Sequence, residues 1–183
     1  MLTHEMPMQR RHLLHTLAAG PLLLAGAARA QGPAVPPPGG DKGGPPPAPG
    51  TALPLPDVTL LDGRSVTPAD FAGQVLVLYW WASWCPFCAV QSPLMDALWR
   101  RQQARGLRFL GLSIDRKPED ARAYLARRGY VFPSAWVTPD IARVLPKPKG
   151  LPVTVVRGRD GRVLMGEAGQ LFPEDIEQIA SFL

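Results

Sequence analysis

The sequence predicts an α/β domain: a three-layer sandwich with a mixed central β-sheet, helices on both faces and a β-hairpin at its N-terminal side. Three observations predict it. Residues 75–80 (Val-Leu-Val-Leu-Tyr-Trp) form an unbroken apolar run, the mark of a central strand buried on both faces, and 107–113 reads as a second buried strand. Stretches with helix start and stop signals alternate with these strands. Two Asp-Gly pairs, Asp62-Gly63 and Asp160-Gly161, each separate short β-rich runs and so read as hairpin turns.

In chain order, residues 55–73 hold the first hairpin, with Val58-Thr59-Leu60 and Ser65-Val66 as its arms. The strand at 75–80 gives way to a helix from Pro86 to about Gln103, with Gly106 beyond its end. Leu94, Ala97, Leu98 and Arg101 fall on one stripe of that helix, and Pro93 should kink it by removing a backbone donor. Residues 118–128 make a helix with Glu119 and Asp120 at its start and Arg127 and Arg128 at its end, a distribution that complements the helix dipole; Gly129 closes it. A short helix is expected at 139–145, a hairpin of 153–156 with 163–165, and a last helix at 173–182. The order βαβαβ, β-hairpin, α places helices on both faces of one sheet. Trp80, Trp81, Trp99, Phe109 and Trp136 read as packing.

The first thirty residues read as an address. Arg10-Arg11 precedes an apolar run over 13–28 that ends at Ala28-Arg29-Ala30, the small-x-small pattern cut by a signal peptidase. The run falls short of the roughly 20 apolar residues that a membrane span takes, and it contains Gly20 and Pro21. Cleavage after Ala30 is the preferred reading, with an uncleaved membrane anchor as the alternative. The residues around Arg10-Arg11 also resemble a twin-arginine export signal. Fourteen of the twenty residues from 31 to 50 are Pro or Gly. The segment 31–51 therefore reads as a semi-rigid linker of polyproline-II character, and 52–183 as the domain. Past residue 30 the chain carries 17 basic and 14 acidic side chains. That excess is too small to point to nucleic acid.

Trp84-Cys85-Pro86-Phe87-Cys88 stands where the first buried strand meets its helix. Unpaired backbone N–H groups and the positive end of the dipole stabilise a thiolate there. In such settings a cysteine pKa falls from about 8.5 to roughly 3.5–7.5. Cys85, on the exposed side of the turn, is the expected nucleophile; Cys88, one turn on, faces inward and resolves a mixed disulfide. Pro86 fits the first helical turn, where its missing N–H costs nothing. Trp84 is the aromatic placed to touch a substrate. A purely structural disulfide competes with this reading, but a loop this short restrains the unfolded chain little. Metal binding competes too, yet two thiolates fall short of a closed tetrahedral site, and the three histidines (His4, His12, His15) lie in the address segment. A Cu(I)-binding module would lack Met or His ligands beside the motif. Haem attachment needs His after the second cysteine, where Ala89 stands. No cofactor is expected.

The run Trp81-Ala82-Ser83-Trp84-Cys85 is joined, in order, by Asp62-Gly63, Asp70-Phe71-x-Gly73, Ser113-Ile114-Asp115, Gly150-Leu151-Pro152-Val153-Thr154 and Asp160-Gly161. Together these resemble the TlpA/ResA-like branch of the thioredoxin superfamily over residues 55–183. The resemblance implies a thioredoxin-like fold and thiol:disulfide oxidoreductase activity in the periplasm of a Gram-negative cell. It implies exported cysteine proteins as substrates, including apocytochromes c and metallochaperones, hence a role in cytochrome c biogenesis. A membrane thiol–disulfide electron donor would recharge the dithiol. Reduction of clients is favoured over their oxidation. The resemblance also implies a cis peptide bond at Pro152, with Leu151 and Pro152 presenting a strand edge to substrate beside the disulfide; X-Pro bonds are otherwise mostly trans.

Two positions depart from the family pattern. Gln91 stands where many relatives carry Glu, and Tyr79 where thioredoxins proper carry a buried Asp. Either acid could pass a proton to or from Cys88, so water is the expected carrier here. Lys147 and Lys149, near Pro152, read as solvated surface. A thiol peroxidase of the same fold is the rival enzyme. Peroxiredoxins carry Thr three residues before the reactive cysteine, and here Ala82 stands there.

Overall fold

The structure, a computed structural model, describes residues 43–183. The export signal expected at 1–30 and residues 31–42 of the linker lie outside the described residues. In chain order come β1 (Val58–Thr59), β2 (Ser65–Val66), β3 (Val75–Trp81), α1 (Pro86–Gln102), β4 (Leu107–Ser113), α2 (Pro118–Arg128), β5 (Ser134–Trp136), α3 (Pro139–Val144), β6 (Val153–Arg157), β7 (Val163–Ala168) and α4 (Pro173–Gln178). A 3-10 turn, Ile179–Phe182, continues α4, so the last helix tightens where one helix was expected to run through.

The seven residues of β3 decide the architecture. Side chains alternate across a strand, so Val75, Val77, Tyr79 and Trp81 enter one core and Leu76, Leu78 and Trp80 the other. All seven are buried, and such a strand must be central. The sheet order is β5-β4-β3-β6-β7. β3, β4 and β5 run parallel, while β6 is antiparallel to β3 and to β7. Met95 and Leu98 of α1, Ala121 and Tyr124 of α2 and Ile176 of α4 cover one face. Val58 of the β1–β2 hairpin, Leu60 and Ile141 of α3 cover the other. The expected three-layer sandwich with its N-terminal hairpin is the observed architecture.

Of the α1 stripe of Leu94, Ala97, Leu98 and Arg101, only Leu98 is buried. Its buried residues are Cys88, Gln91, Ser92, Met95, Asp96 and Leu98. Leu94 and Ala97 are half-buried, and Arg101 is exposed and ion-paired with Glu177. Three polar side chains face inward because partners meet them there. Asp96 accepts from the N–H groups of Val131 (2.6 Å) and Phe132 (3.1 Å) and from Arg100 Nε (2.6 Å). A face chosen by apolar residues alone misses such positions.

Residues 43–51, grouped with the linker in the sequence, lie along the domain. The Gly44 carbonyl accepts from Lys149 N–H (2.7 Å), Gly50 N–H donates to Val163 O (2.8 Å), and Val163 N–H donates to Thr51 O (2.9 Å). Pro47 crosses β7 at Gly166, where a Cβ would lie 2.7 Å from the Pro47 carbonyl oxygen. The strap thus covers the outer edge of β7, which would otherwise offer unpaired backbone groups.

Where β4 runs between β3 and β5, Gly111 allows close packing of the side chains over the sheet. A Cβ there would meet Ser134 Oγ and would lie 3.0 Å from Trp81 Nε1 and 3.1 Å from Phe132. Gly111→Ala should therefore destabilise the fold by about 1–3 kcal/mol, the usual cost of overpacking. Urea unfolding should show a lower midpoint at an unchanged slope.

Candidate active site

β3 ends at Trp81, and the chain turns through Ala82, Ser83 and Trp84 before α1 begins. The turn is held from the end of β4. Buried Asp115 accepts from Ser83 N–H (3.1 and 3.2 Å to its two oxygens), Ser83 Oγ (2.6 Å) and Ser113 Oγ (2.8 Å). Trp136 Nε1 donates to the Asp115 carbonyl at 2.7 Å. These bonds fix the backbone two residues before Cys85.

Cys85 is the N-cap of α1 and Pro86 occupies its first turn. Cys85 and Cys88 form a disulfide with Cα atoms 5.2 Å apart, within the usual range for such bridges. The N–H of Cys88 donates to Cys85 Sγ at 3.1 Å, so one of the unpaired donors of the helix start points at this sulfur. The first turn of α1 carries no acidic side chain, and Arg100 and Arg101 occupy its last turn. The positive end of the dipole is therefore left to Cys85. Cys85 is 4% exposed and Cys88 0%. The exposed side expected for Cys85 is thus a narrow opening, with exposed Pro86 and Phe87 and half-buried Trp84 as its chain neighbours.

The Leu151-Pro152 peptide bond is cis. Pro152 is buried and Leu151 half-buried. Gly169 N–H donates to the Pro152 carbonyl at 2.8 Å, which draws the loop between β7 and α4 against this segment. Phe87, Leu151, Gly169, Gln170 and Phe172 line one groove of about 310 Å³. Sequence reasoning missed Gly169, Gln170 and Phe172. The one signal was an apolar residue directly before Pro173, a helix start where a polar cap is usual.

Two larger hollows lie elsewhere. One, of about 500 Å³, opens between the hairpin and the end of α1 beside Trp99 and Arg108; the other, of about 550 Å³, lies under the strap. Neither is lined by residues 84–88 or 151–152, so size does not mark the chemistry here. Lys147 corrects the solvated reading: it is half-buried and donates to the carbonyls of Pro148 (2.6 Å) and Gly150 (3.1 Å), stiffening the approach to Pro152. Lys149 is exposed.

The two side chains that replace the family's acids are neutral and paired. Gln91 Nε2 donates to Thr154 Oγ1 (3.0 Å), and its Oε1 accepts from Leu171 N–H (2.7 Å). The Tyr79 hydroxyl is hydrogen-bonded to Ser92 Oγ at 3.1 Å, and burial pushes its pKa above the ordinary tyrosine value. A phenol raised from about 10 stays protonated across the neutral range. Among the described residues no three His, Cys, Asp or Glu side chains gather into a metal site, and no helix is long and apolar enough to cross a membrane.

A family model described as AhpC/TSA matches residues 48–142, just over half of the chain. The chain belongs to the AhpC/TSA family. Within it, the likeness runs to thioredoxin-like oxidoreductases. The thiol-disulfide oxidoreductase ResA of Bacillus thuringiensis subsp. konkukian is 26% identical over 124 residues, 66% of this chain and 70% of that protein. The thiol:disulfide interchange protein HelX of Rhodobacter capsulatus is 30% identical over 112 residues, 60% of this chain and 61% of that one. A crystal structure assigned as thiol:disulfide interchange protein DsbE of Chlorobium tepidum has a TM-score of 0.65 at 28% identity, over 72% of this chain and 94% of that one. The protein is a thiol:disulfide oxidoreductase of thioredoxin fold and TlpA/ResA-like type.

Asp115 should prove structural to the site. Asp115→Ala leaves the N–H and hydroxyl of Ser83 without their acceptor, at a cost of about 1–3 kcal/mol. The thermal midpoint should fall in both the oxidised and the reduced protein.

Proposed function

We propose that the protein is exported to the periplasm and uses its Cys85–Cys88 dithiol to reduce disulfides in other exported cysteine proteins. The observation that carries this is the position of Cys85: a sulfur capping a helix that has no acid in its first turn, beside an open groove. In the reduced protein the Cys85 thiolate attacks one sulfur of a client disulfide. A mixed disulfide forms, and the other client sulfur leaves as a thiolate that takes a proton from water. Cys88 then loses its proton to water and attacks Cys85 Sγ. The client departs with its second thiol, two electrons richer, and the 85–88 disulfide closes. A membrane dithiol donor restores the starting state.

Trp84, Pro86, Leu151 and Pro152 are the proposed client contacts. Leu151 has no backbone hydrogen-bond partner among the described residues, which suits addition of an extended client strand. Export rests on the signal pattern at 1–30; a linker follows, whose last residues, 43–51, strap onto the catalytic domain of 52–183. Apocytochromes c and metallochaperones are the client classes that the relatedness suggests.

Cys85→Ser should bring dithiothreitol-driven insulin reduction down to the uncatalysed rate, whereas Cys88→Ser should accumulate mixed disulfides visible on non-reducing gels. Equilibration of the pair with glutathione sets the direction. A potential near thioredoxin's roughly −270 mV supports a reductant, and one near roughly −120 mV overturns that direction in favour of an oxidant. Peroxide consumption should stay at background, since buried Ala82 supplies no hydroxyl.

Gln91→Glu should place a carboxyl one turn from Cys88, between Leu171 N–H and the Thr154 hydroxyl. The pH profile of client reduction should then gain an ionisation that the wild type lacks.

A further inference from the structure

We infer that Phe87 and Phe172 form a clamp that selects clients carrying a large apolar side chain next to the reactive cysteine. This rests on the exchange reading and names the client segment that the site takes. Among the described residues, the two most exposed large apolar side chains are Phe172 (67%) and Phe87 (59%), and both line the groove beside the disulfide. Single exposed apolar residues are ordinary on a protein surface, whereas apolar residues gathered at one hollow mark a contact site. Val90, three residues after Phe87 and so on the same side of α1, is 54% exposed and extends the patch.

Position decides the occupant. Phe87 lies between the two cysteines, and Leu151 directly precedes Pro152. The far wall, Gly169 to Phe172, is fastened to Pro152 by the Gly169 N–H bond. A client sulfur has to come within bonding distance of Cys85 Sγ, so residues flanking the client cysteine are carried across this groove. The groove is continuous with the exchange site, and its occupant is an extended stretch of client chain.

Composition decides the side chain. No lining residue is charged, and Gln170 is the one polar side chain among them. An ionised client side chain would lose water here without finding a counter-charge. A phenylalanine or leucine would instead cover both exposed rings, and the volume, about 310 Å³, is at the small end for ligand sites. One large side chain fits that space. Phe172 lies in a different element from either cysteine, so it acts on client binding and not on the sulfur chemistry.

The test uses the full chain and three disulfides. Two are peptides whose single cysteine is bonded to glutathione, identical except that Phe or Ser precedes the cysteine; the third is 2-hydroxyethyl disulfide, which has no flank. The wild type should favour the Phe peptide by about tenfold in kcat/KM, chiefly through KM, the size expected for covering part of an aromatic ring. Phe172→Ala should cut that ratio to about twofold or less, and Phe172→Leu should keep most of it. Phe172 is exposed, and circular dichroism can verify that each variant is folded. Equal rates on the two peptides, with 2-hydroxyethyl disulfide still turned over, would overturn the clamp alone. A preference that survives both Phe172→Ala and Phe87→Ala would also overturn it. Failure to reduce any of the three would remove the exchange reading on which the clamp rests.

Discussion

The site depends on α1 beginning at Cys85. A strand buried on both faces has to leave the sheet abruptly, and here Asp115 gathers the turning backbone by binding Ser83 through both its N–H and its hydroxyl. The helix that follows needs an acceptor for its first donors, a role that Ser, Thr, Asp or Asn usually fills. Cys85 fills it with sulfur, accepting the Cys88 N–H. The capping atom and the proposed nucleophile are therefore one atom. A thiolate at this position would accept that N–H more strongly than a neutral sulfur does.

The inward face of α1 then ties this helix start to the groove. Gln91 bonds Thr154, two residues after Pro152, and Leu171, the neighbour of Phe172. One amide therefore braces the helix of the cysteines against the segment carrying the cis proline and against the far groove wall. An amide can donate on one side while accepting on the other, so both bonds form at every pH. A carboxylate would accept from both and change its bonding on protonation. In this protein the position serves as a fixed strut, and with Tyr79 also neutral, neither position supplies an acid beside Cys88.

What the sequence made readable follows from which forces act locally. β3 was visible because a strand buried on both faces admits only apolar residues. The hairpin turns were visible because Asp-Gly supplies their backbone geometry, and α2 because its charges match the dipole. The cysteine pair stood out because the chemistry requires both that spacing and a helix start. β5 was never located: three residues at a sheet edge, Ser134–Trp136, are too few to show a period. The burial of Gln91, Ser92 and Asp96 on α1 was not visible because these side chains are stabilised by partners distant in sequence. The groove wall at Gly169 to Phe172 stayed hidden for a similar reason, since only the folded chain brings it to Phe87. The cis bond at Pro152 came from family resemblance; the residues themselves favour trans.

The proline-rich segment shows how composition can mislead about role. Proline and glycine cannot build a core, and on that ground residues up to 51 read as a spacer. A sheet edge, however, needs a cover that satisfies its backbone groups without offering a new edge in turn. Proline suits this because it has no N–H to present to another strand. The strap pairs with Val163 through Gly50 and Thr51, lays Pro47 across Gly166, and accepts from Lys149 at Gly44. Lys149 stands three residues before Pro152, and Lys147 binds the carbonyls of Pro148 and Gly150 in the same loop. The end of the linker therefore contributes to holding the loop that carries the cis proline. Its last nine residues belong to the active domain by their bonds, though not by their composition.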